Sequence, residues 1–472
     1  MMKKWFITIV WGIGLTFLLP LSLTAGETAK GPLRVLENNP RYFTDSSGKA
    51  VYLTGSHVWY NLVDMGPDDP PKPFDYHAYL DWMQKLNHNF IRLWMWELVW
   101  WNTEANSQHT DITLHHATPH PWARTGPGQA LDGKPKFDLT RWNPEFFDRL
   151  TTRITAARDR GIYVSIMLFE GWGVQFAPDA WKGHPFNKEN NVNGVDGDWN
   201  GDGQGLEIHT LTNPAVTAIQ EAYVKQVIDT VNRLENVLYE ISNENHPPST
   251  EWQYHMINLI HEYEKSKPLQ HPVGMTFQYK GGSNQTLFDS PADWISPNPD
   301  GGYRDNPPAN DGRKVILNDT DHLWGIGGNQ VWVWKSFTRG LNPIFMDPYD
   351  GVTLGQPFDP RWDPVRRSLG YTRRYAERMN LAAMTPRGDL VSSAYCLADP
   401  GNEYLVYLPE GGEVTVDLVK VEGAFSVEWF NPGTDETRPG RSIQGGASQR
   451  LVSPFEQADA VLYLKRGTPE EK

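Results

Sequence analysis

The sequence predicts a (β/α)8 TIM barrel followed by a small antiparallel β-sandwich, on three observations. Eight short strand-like runs begin at Val51, Phe90, Ile162, Val237, Val273, Trp294, Val315 and Ile344. At least six of them are followed by apolar residues at helical spacing. Short buried strands alternating with helices imply a parallel sheet, and eight repeats fit a closed barrel. After Pro386 the pattern changes to short β runs separated by Gly, Pro and Asp turns, the signature of a small antiparallel sandwich. An open doubly wound sheet is the alternative for the first part, but no Gly-rich phosphate loop follows the first strand.

Residues 1–25 read as a secretory signal peptide. Lys3 and Lys4 precede an apolar run from Trp5 to about Leu21, and small residues follow. An uncleaved membrane anchor is the alternative, but the run is shorter than the roughly 20 residues of a spanning helix. Export to a secreted or periplasmic location follows, with no stable membrane insertion after signal removal.

The barrel is expected over residues 31–386. Its lead-in carries the turn Asp45-Ser46-Ser47-Gly48, and Val51–Gly55 is its first strand. Helical spacing predicts a helix over Phe74–Leu86, and Asn89–Trp96 is the second strand. A long polar loop runs to about Thr140. A helix follows over Pro144–Arg160, with Pro at its first turn, and Ile162–Phe169 is the third strand. A second long loop covers Val174–Thr212. Asn213 caps a helix over Pro214–Arg233, Asn236–Glu244 is the fourth strand, and Glu251–Lys265 is helical. Strands at Pro272–Gln278, Asp293–Pro297, Lys314–Asp319 and Pro343–Met346 complete the set, with helices at Gln330–Arg339 and Arg361–Met384. Residues 388–468 form the sandwich, from strands at Leu390–Tyr395, Glu403–Leu408, Val414–Leu418, Phe425–Phe430 and Ala460–Lys465.

Composition excludes some chemistries. A net charge of −14 argues against a nucleic-acid partner, which needs basic patches. Cys396 is the sole cysteine, so no intrachain disulfide forms. No Ser sits in a Gly-x-Ser-x-Gly elbow. The 20 Trp are the outlier, and flat aromatic faces either fill cores or stack on sugar rings.

In a barrel of this kind the chemistry lies at the C-terminal strand ends. Those ends hold His57, Arg92, Trp94, Trp96, Glu97, Glu170, Asn243, Glu244, Gln278, Asp319, Asp321, His322 and Asp347. The fourth strand stops at Asn243-Glu244, where Pro247 and Pro248 force a loop. Paired carboxylates with aromatic walls fit cleavage of a glycosidic bond. One acid protonates the leaving oxygen while the other attacks the sugar carbon or activates water. Trp59, Trp94, Trp96, Trp172 and Trp324 are the expected sugar platforms, and no organic cofactor is needed.

Val237–Asn245, with Asn-Glu closing the fourth strand, resembles the acid/base signature of clan A glycoside hydrolases, the family 5-like barrels. Asn89-Phe90-Ile91-Arg92 resembles their second strand. The C-terminal segment, with Glu403–Leu408 and Ser426–Gly433, resembles the small β-domain labelled collagen-binding that accompanies family 140-like barrels. The resemblance implies Glu244 as acid/base, Arg92 and Asn243 as positioning donors, and a Glu nucleophile ending the seventh strand. This chain has no Glu between Glu264 and Glu377. By position Asp319 matches the expected Glu, with Asp321 and Glu170 as rivals. The implied function is retaining hydrolysis of a plant or algal poly- or oligosaccharide. A non-catalytic carbohydrate-binding protein on a degenerate barrel is the alternative, motivated by the missing seventh-strand Glu.

Asp196–Glu207 matches the calcium-loop pattern of an EF-hand through Asp196, Asp198, Asn200, Asp202 and Glu207, with Gly201 at the turn. A structural Ca2+ ion holding the loop over the active-site mouth is the expectation. No flanking helix pair is predicted, so a chance match in an Asp/Gly-rich loop is the alternative.

Overall fold

The computed structural model describes residues 28–467 apart from Ser46, Ser107 and residues 109–112. The signal-peptide expectation lies outside the described residues.

Eight parallel strands form the barrel: β1 (Gly55–His57), β2 (Phe90–Trp94), β3 (Tyr163–Glu170), β4 (Val237–Asn243), β5 (Val273–Thr276), β6 (Trp294–Ser296), β7 (Val315–Asp319) and β8 (Asn342–Met346). Hydrogen-bonded neighbours run in order from β2 through β8 to β1. Asn89 closes the seam between β1 and β2. Its backbone N–H donates to the Thr54 carbonyl (2.9 Å), its Oδ1 accepts from the Thr54 N–H (3.0 Å), and its Nδ2 donates to the Tyr52 carbonyl (2.8 Å). The expected first strand shifts accordingly. Val51–Gly55 is not the barrel strand, because Ala50–Val51 pairs antiparallel with Phe43–Thr44 in a small sheet before the barrel. Leu33, Phe43 and Leu53 of this lead-in pack with Phe90, Leu238 and Trp294 at the N-terminal ends of the strands.

The principal helices lie close to their expected positions: Tyr76–Lys85, Pro144–Arg158, Pro214–Val231, Thr250–Glu264, Gln330–Thr338 and Asp363–Arg378. Asp75, Asn143 and Asn213 cap three of them with side-chain oxygens. The last helix stops at Arg378, short of Met384. There Asn39 Nδ2 donates to the Leu381 and Met384 carbonyls (3.1 and 2.8 Å) and holds the chain out of the helix.

The stretch expected as a long polar loop after β2 is largely β structure. Asp64–Gly66, Leu114–Thr118 and Trp100–Asn102 form one sheet, and Trp122–Gln129 pairs with Pro135–Trp142. Their His, Pro and Gly content hides the alternation that announces a strand.

The C-terminal segment folds as an antiparallel sheet with a two-stranded ribbon, Glu413–Asp417 with Ser448–Val452, packed against it. Leu390–Tyr395 is not a strand; the sheet resumes at Cys396–Asp399. Two strands the pattern does not announce, Glu436–Gln444 and Ser448–Val452, are mostly exposed and polar. Trp334, Phe337 and Tyr375 of the barrel helices share one core with Leu405, Tyr407 and Phe430 of this sheet.

Candidate active site

The site is built around a buried cation. Arg92 on β2 donates from Nε to Glu240 Oε2 (2.9 Å) and from Nη2 to Glu240 Oε1 (2.5 Å). Nη2 also reaches Asn243 Oδ1 (2.6 Å). Nη1 donates to both Asp319 Oδ2 (3.0 Å) and Asp321 Oδ2 (2.9 Å). One guanidinium therefore orients four side chains, and each fixed hydrogen bond is charge-assisted. The same guanidinium answers a metal reading of Asp319, Asp321 and His322, whose ligand atoms cluster closely enough for an ion. Arg92 already supplies the positive charge between the two aspartates.

Asp319, the last residue of β7, is fully buried and ionised. Burial alone would raise its pKa, but His57 and Arg92 hold it below the usual carboxylate range. His57 Nε2 lies 3.0 Å from both of its oxygens. The Trp94 indole N–H donates to His57 Nδ1 (3.1 Å), so the ring proton of His57 sits on Nε2, toward Asp319. Asp319 also accepts from the Asp321 N–H (3.0 Å), capping the short helix Thr320–Leu323.

Asp321 lies in the first turn of that helix. Burial and the nearby Asp319 charge, against Arg92, push its pKa to about 6. His322 accepts from the Ser296 hydroxyl at Nδ1 (2.7 Å) and faces Asn243 Oδ1 from Nε2 (3.2 Å). Burial lowers its pKa to about 3, so the ring is neutral. Asn243 Nδ2 is buried with no hydrogen-bond partner among the described residues.

Glu244 follows β4 with a left-handed backbone, φ +43, a conformation that non-glycine residues hold under strain. Gln175 Nε2 donates to its carbonyl (2.7 Å). Burial first, then the charge of Asp321, raises the Glu244 carboxyl well above its ordinary range; Glu170 and Asp319 add to this and Arg92 opposes it. Glu170, at the end of β3, accepts from the Trp172 and Gly173 N–H groups (2.7 and 2.8 Å). Burial still pushes its pKa to about 8. Behind it, Glu97 lies 3.0 Å from His209 Nε2.

Over these groups opens a cavity of about 510 Å3. Of the expected site residues it is lined by Glu244, Asp321, His322, Trp59, Trp172 and Trp324. His57, Arg92, Glu170, Asn243 and Asp319 do not line it; they stand behind the lining. Trp94 and Trp96 are corrected as sugar platforms. Both are fully buried, and Trp59 packs over each (5.5 and 5.7 Å between ring centroids). The sequence reading missed Phe176, Tyr279, Lys280 and Arg304, which also line the cavity. Tyr279 and Lys280 directly follow the expected fifth strand, and that position was the available signal.

The Asp196–Glu207 loop brings only part of the expected ligand set together. Carboxylate oxygens of Asp198, Asp202 and Glu207 lie within 4.8 Å of one another. Asp196 is instead paired with Lys188 (3.1 Å), and Asn200 Nδ2 donates to Asp202 Oδ2 (3.0 Å). One Glu207 oxygen is buried without a partner among the described residues. The three carboxylates fit a hard cation by donor type, with fewer protein ligands than a full calcium loop supplies.

Residues 90–280 match the family model "Domain of unknown function (DUF6298)", and residues 388–465 match "Putative collagen-binding domain of a collagenase". No curated protein sequence matches the chain. Among solved structures, a glycoside hydrolase family 5 protein from Bacteroides vulgatus ATCC 8482 superposes with a TM-score of 0.63 at 14% identity, covering 94% of this chain and 95% of that one. A "putative glycoside hydrolase" from the same organism gives 0.59 at 13% identity, covering 94% and 83%. The barrel fold, with antiparallel sheets appended, is the one these glycoside hydrolase structures share.

Proposed function

We propose that the protein is a retaining glycoside hydrolase in which Glu244 is the acid/base and Asp321 the nucleophile. The observation that carries this reading is that Glu244 and Asp321 line the same cavity, where burial and then the Asp321 charge hold the Glu244 carboxyl well above its ordinary range. Retention is the part of this reading that requires Asp321 to attack directly, which suits carboxyl groups about 5 to 5.5 Å apart. Glu244 donates its proton to the leaving oxygen while Asp321 attacks the anomeric carbon. The same Glu244 then takes a proton from water that releases the sugar.

This assignment moves the nucleophile from Asp319 to Asp321. Asp319 acts as the permanent anion beneath, fixing Arg92 and His57. A plant or algal polysaccharide as substrate and export by the first 25 residues remain part of the proposal, the latter supported by their basic, apolar and small-residue order. A structural Ca2+ ion held by Asp198, Asp202 and Glu207 also belongs to it.

The test is kinetic. Glu244→Gln is expected to abolish cleavage of unactivated glycosides while sparing the first step on a dinitrophenyl glycoside, whose leaving group needs no proton. Asp321→Ala is expected to regain turnover with azide and to yield a glycosyl azide. Unchanged turnover in Glu244→Gln removes the proposed mechanism.

A further inference from the structure

The cavity wall holds two cations that the hydrolytic machinery does not use. Lys280 follows β5 and Arg304 follows β6, so adjacent strands deliver them to the same opening. Lys280 Nζ lies over the rings of Phe176 and Tyr279 (5.3 and 5.4 Å). It has no hydrogen bond or ion pair among the described residues. The Arg304 guanidinium lies over Trp324 (5.4 Å), and its one ion pair among the described residues, to Asp305 at 3.9 Å, is with a side chain 88% exposed. All three aromatic rings line the same cavity.

This differs from the treatment of the cations below. Arg92 and Arg366 are buried and committed to carboxylates. Lys280 and Arg304 are steadied by ring faces, which orient a cation while leaving its N–H donors free. The chain carries a net charge of −14 and the cavity contains Asp321, so an anion meets repulsion unless cations are placed to receive it. Neutral sugars also accept hydrogen bonds from such groups, but two cations without a buried carboxylate partner at one opening favour an acidic ligand over a neutral one. A guanidinium and an ammonium at one rim match carboxylate or sulfate oxygens.

We infer that the cavity takes an anionic glycan, a carboxylate- or sulfate-bearing chain whose acidic groups are received by Lys280 and Arg304 while the sugar faces stack on Tyr279 and Trp324. This rests on the hydrolase reading of the same site and names its substrate class. The acidic groups lie on sugar units at the rim, away from the bond cleaved beside Glu244.

The experiment uses binding, which needs no turnover. Full-length Glu244→Gln protein is titrated against paired polysaccharides: polygalacturonate with its carboxyl-reduced form, and a sulfated galactan with its desulfated form. The charged member of at least one pair is expected to bind about tenfold more tightly or better, and to weaken as NaCl rises. Preference within the first pair assigns carboxylate, and within the second pair sulfate. Adding Lys280→Ala and Arg304→Ala is expected to erase the preference; both residues are exposed, so the fold is spared. Equal binding within both pairs, no binding to any member, or a preference that survives both substitutions overturns the inference. Wild-type cleavage of a neutral glycan, lost in Glu244→Gln, alongside equal binding leaves the hydrolase reading standing. Unchanged turnover in Glu244→Gln fails that reading itself.

Discussion

Arg92 and Glu240 form a two-point ion pair inside the barrel, with both side chains essentially inaccessible to water. Because Glu240 takes Nε and Nη2, the Nη1 edge is left pointing at Asp319 and Asp321. The pair sets the direction in which the guanidinium meets those two carboxylates. Removing one partner of a buried pair strands the other. Arg92 keeps Asp319 and Asp321 in Glu240→Gln, so the expected cost is about 1 to 3 kcal/mol of stability in urea unfolding. Arg92→Lys is expected to lose activity beyond its stability loss, because an ammonium cannot hold Glu240 in two places and still reach both aspartates. Full activity in folded Arg92→Lys contradicts this role.

The pH profile separates the two aspartates. In the proposed mechanism, activity needs Asp321 ionised and Glu244 protonated. Asp321 has a pKa of about 6, so the acid limb is expected near that value, with the alkaline limb set by Glu244 well above the ordinary glutamate range. These are properties of an interacting pair, so the limbs are apparent values. Asp319 is ionised throughout the profile. Asp319→Asn is expected to lower the Asp321 pKa and move the acid limb downward in kcat/KM, since the Asp319 charge helps raise Asp321. An acid limb that does not move excludes this coupling.

Much of this was legible in the chain, and its limits have physical causes. The barrel showed because each of its strands is buried along its whole length, and continuous apolar runs survive as a sequence signal. Glu244 showed because strand, Asn-Glu pair and prolines lie together in sequence. The choice between Asp319 and Asp321 did not. They lie two residues apart, and what distinguishes them is the contact of His57, distant in the chain, with Asp319 alone and the place of Asp321 in the cavity lining. The burial of Trp94 and Trp96 was likewise invisible, since a tryptophan at a strand end reads the same whether Trp59 covers it or a sugar does. Glu436–Gln444 lacked a signal because it buries almost nothing.

Glu170 gives stability a pH dependence of definite sign. Its folded pKa is about 8 against an ordinary value of 4.5, so the folded state holds the extra proton between those limits. Its stabilising contribution is full below pH 4.5 and is lost as pH rises through 8. The slope is at most about 1.4 kcal/mol per pH unit. Glu170→Gln cannot titrate, so its unfolding free energy is expected to fall less between pH 5 and pH 8 than that of the wild type. Parallel curves for the two proteins would falsify this assignment.

Calcium is expected to act on stability rather than chemistry. Adding Ca2+ to EDTA-treated protein is expected to raise the thermal midpoint in proportion to the logarithm of its concentration above Kd. Asp198→Ala is expected to lose that response, because Asp198 is one of the three gathered carboxylates. The loop reaches the site through the Leu206 carbonyl, 2.9 Å from His246 Nε2, two residues past Glu244. A calcium-insensitive midpoint in the wild type rules the ion out.

Gly171 is where the loop after β3 meets the residue after the acid/base. A Cβ built there would lie 2.5 Å from Asn245 Cα and 2.7 Å from its Cγ. The obstacle is partly backbone, so no side-chain rotation relieves it. Asn245 is also tied back by its Nδ2 to Ser242 Oγ (2.9 Å). Relief must move either the Gly171 turn, which carries the Trp172 and Gly173 N–H groups on Glu170, or the strained backbone of Glu244. Gly171→Ala is expected to cost about 1 to 3 kcal/mol of stability. It is also expected to depress kcat more than KM, since shifting Glu244 by a fraction of an ångström misaims its proton without removing the sugar-stacking rings. Binding of an intact oligosaccharide by the folded variant, measured by titration calorimetry, should stay within a few-fold of wild type. A variant that loses binding and kcat in equal measure would show that Gly171 shapes the cavity wall instead of the position of Glu244.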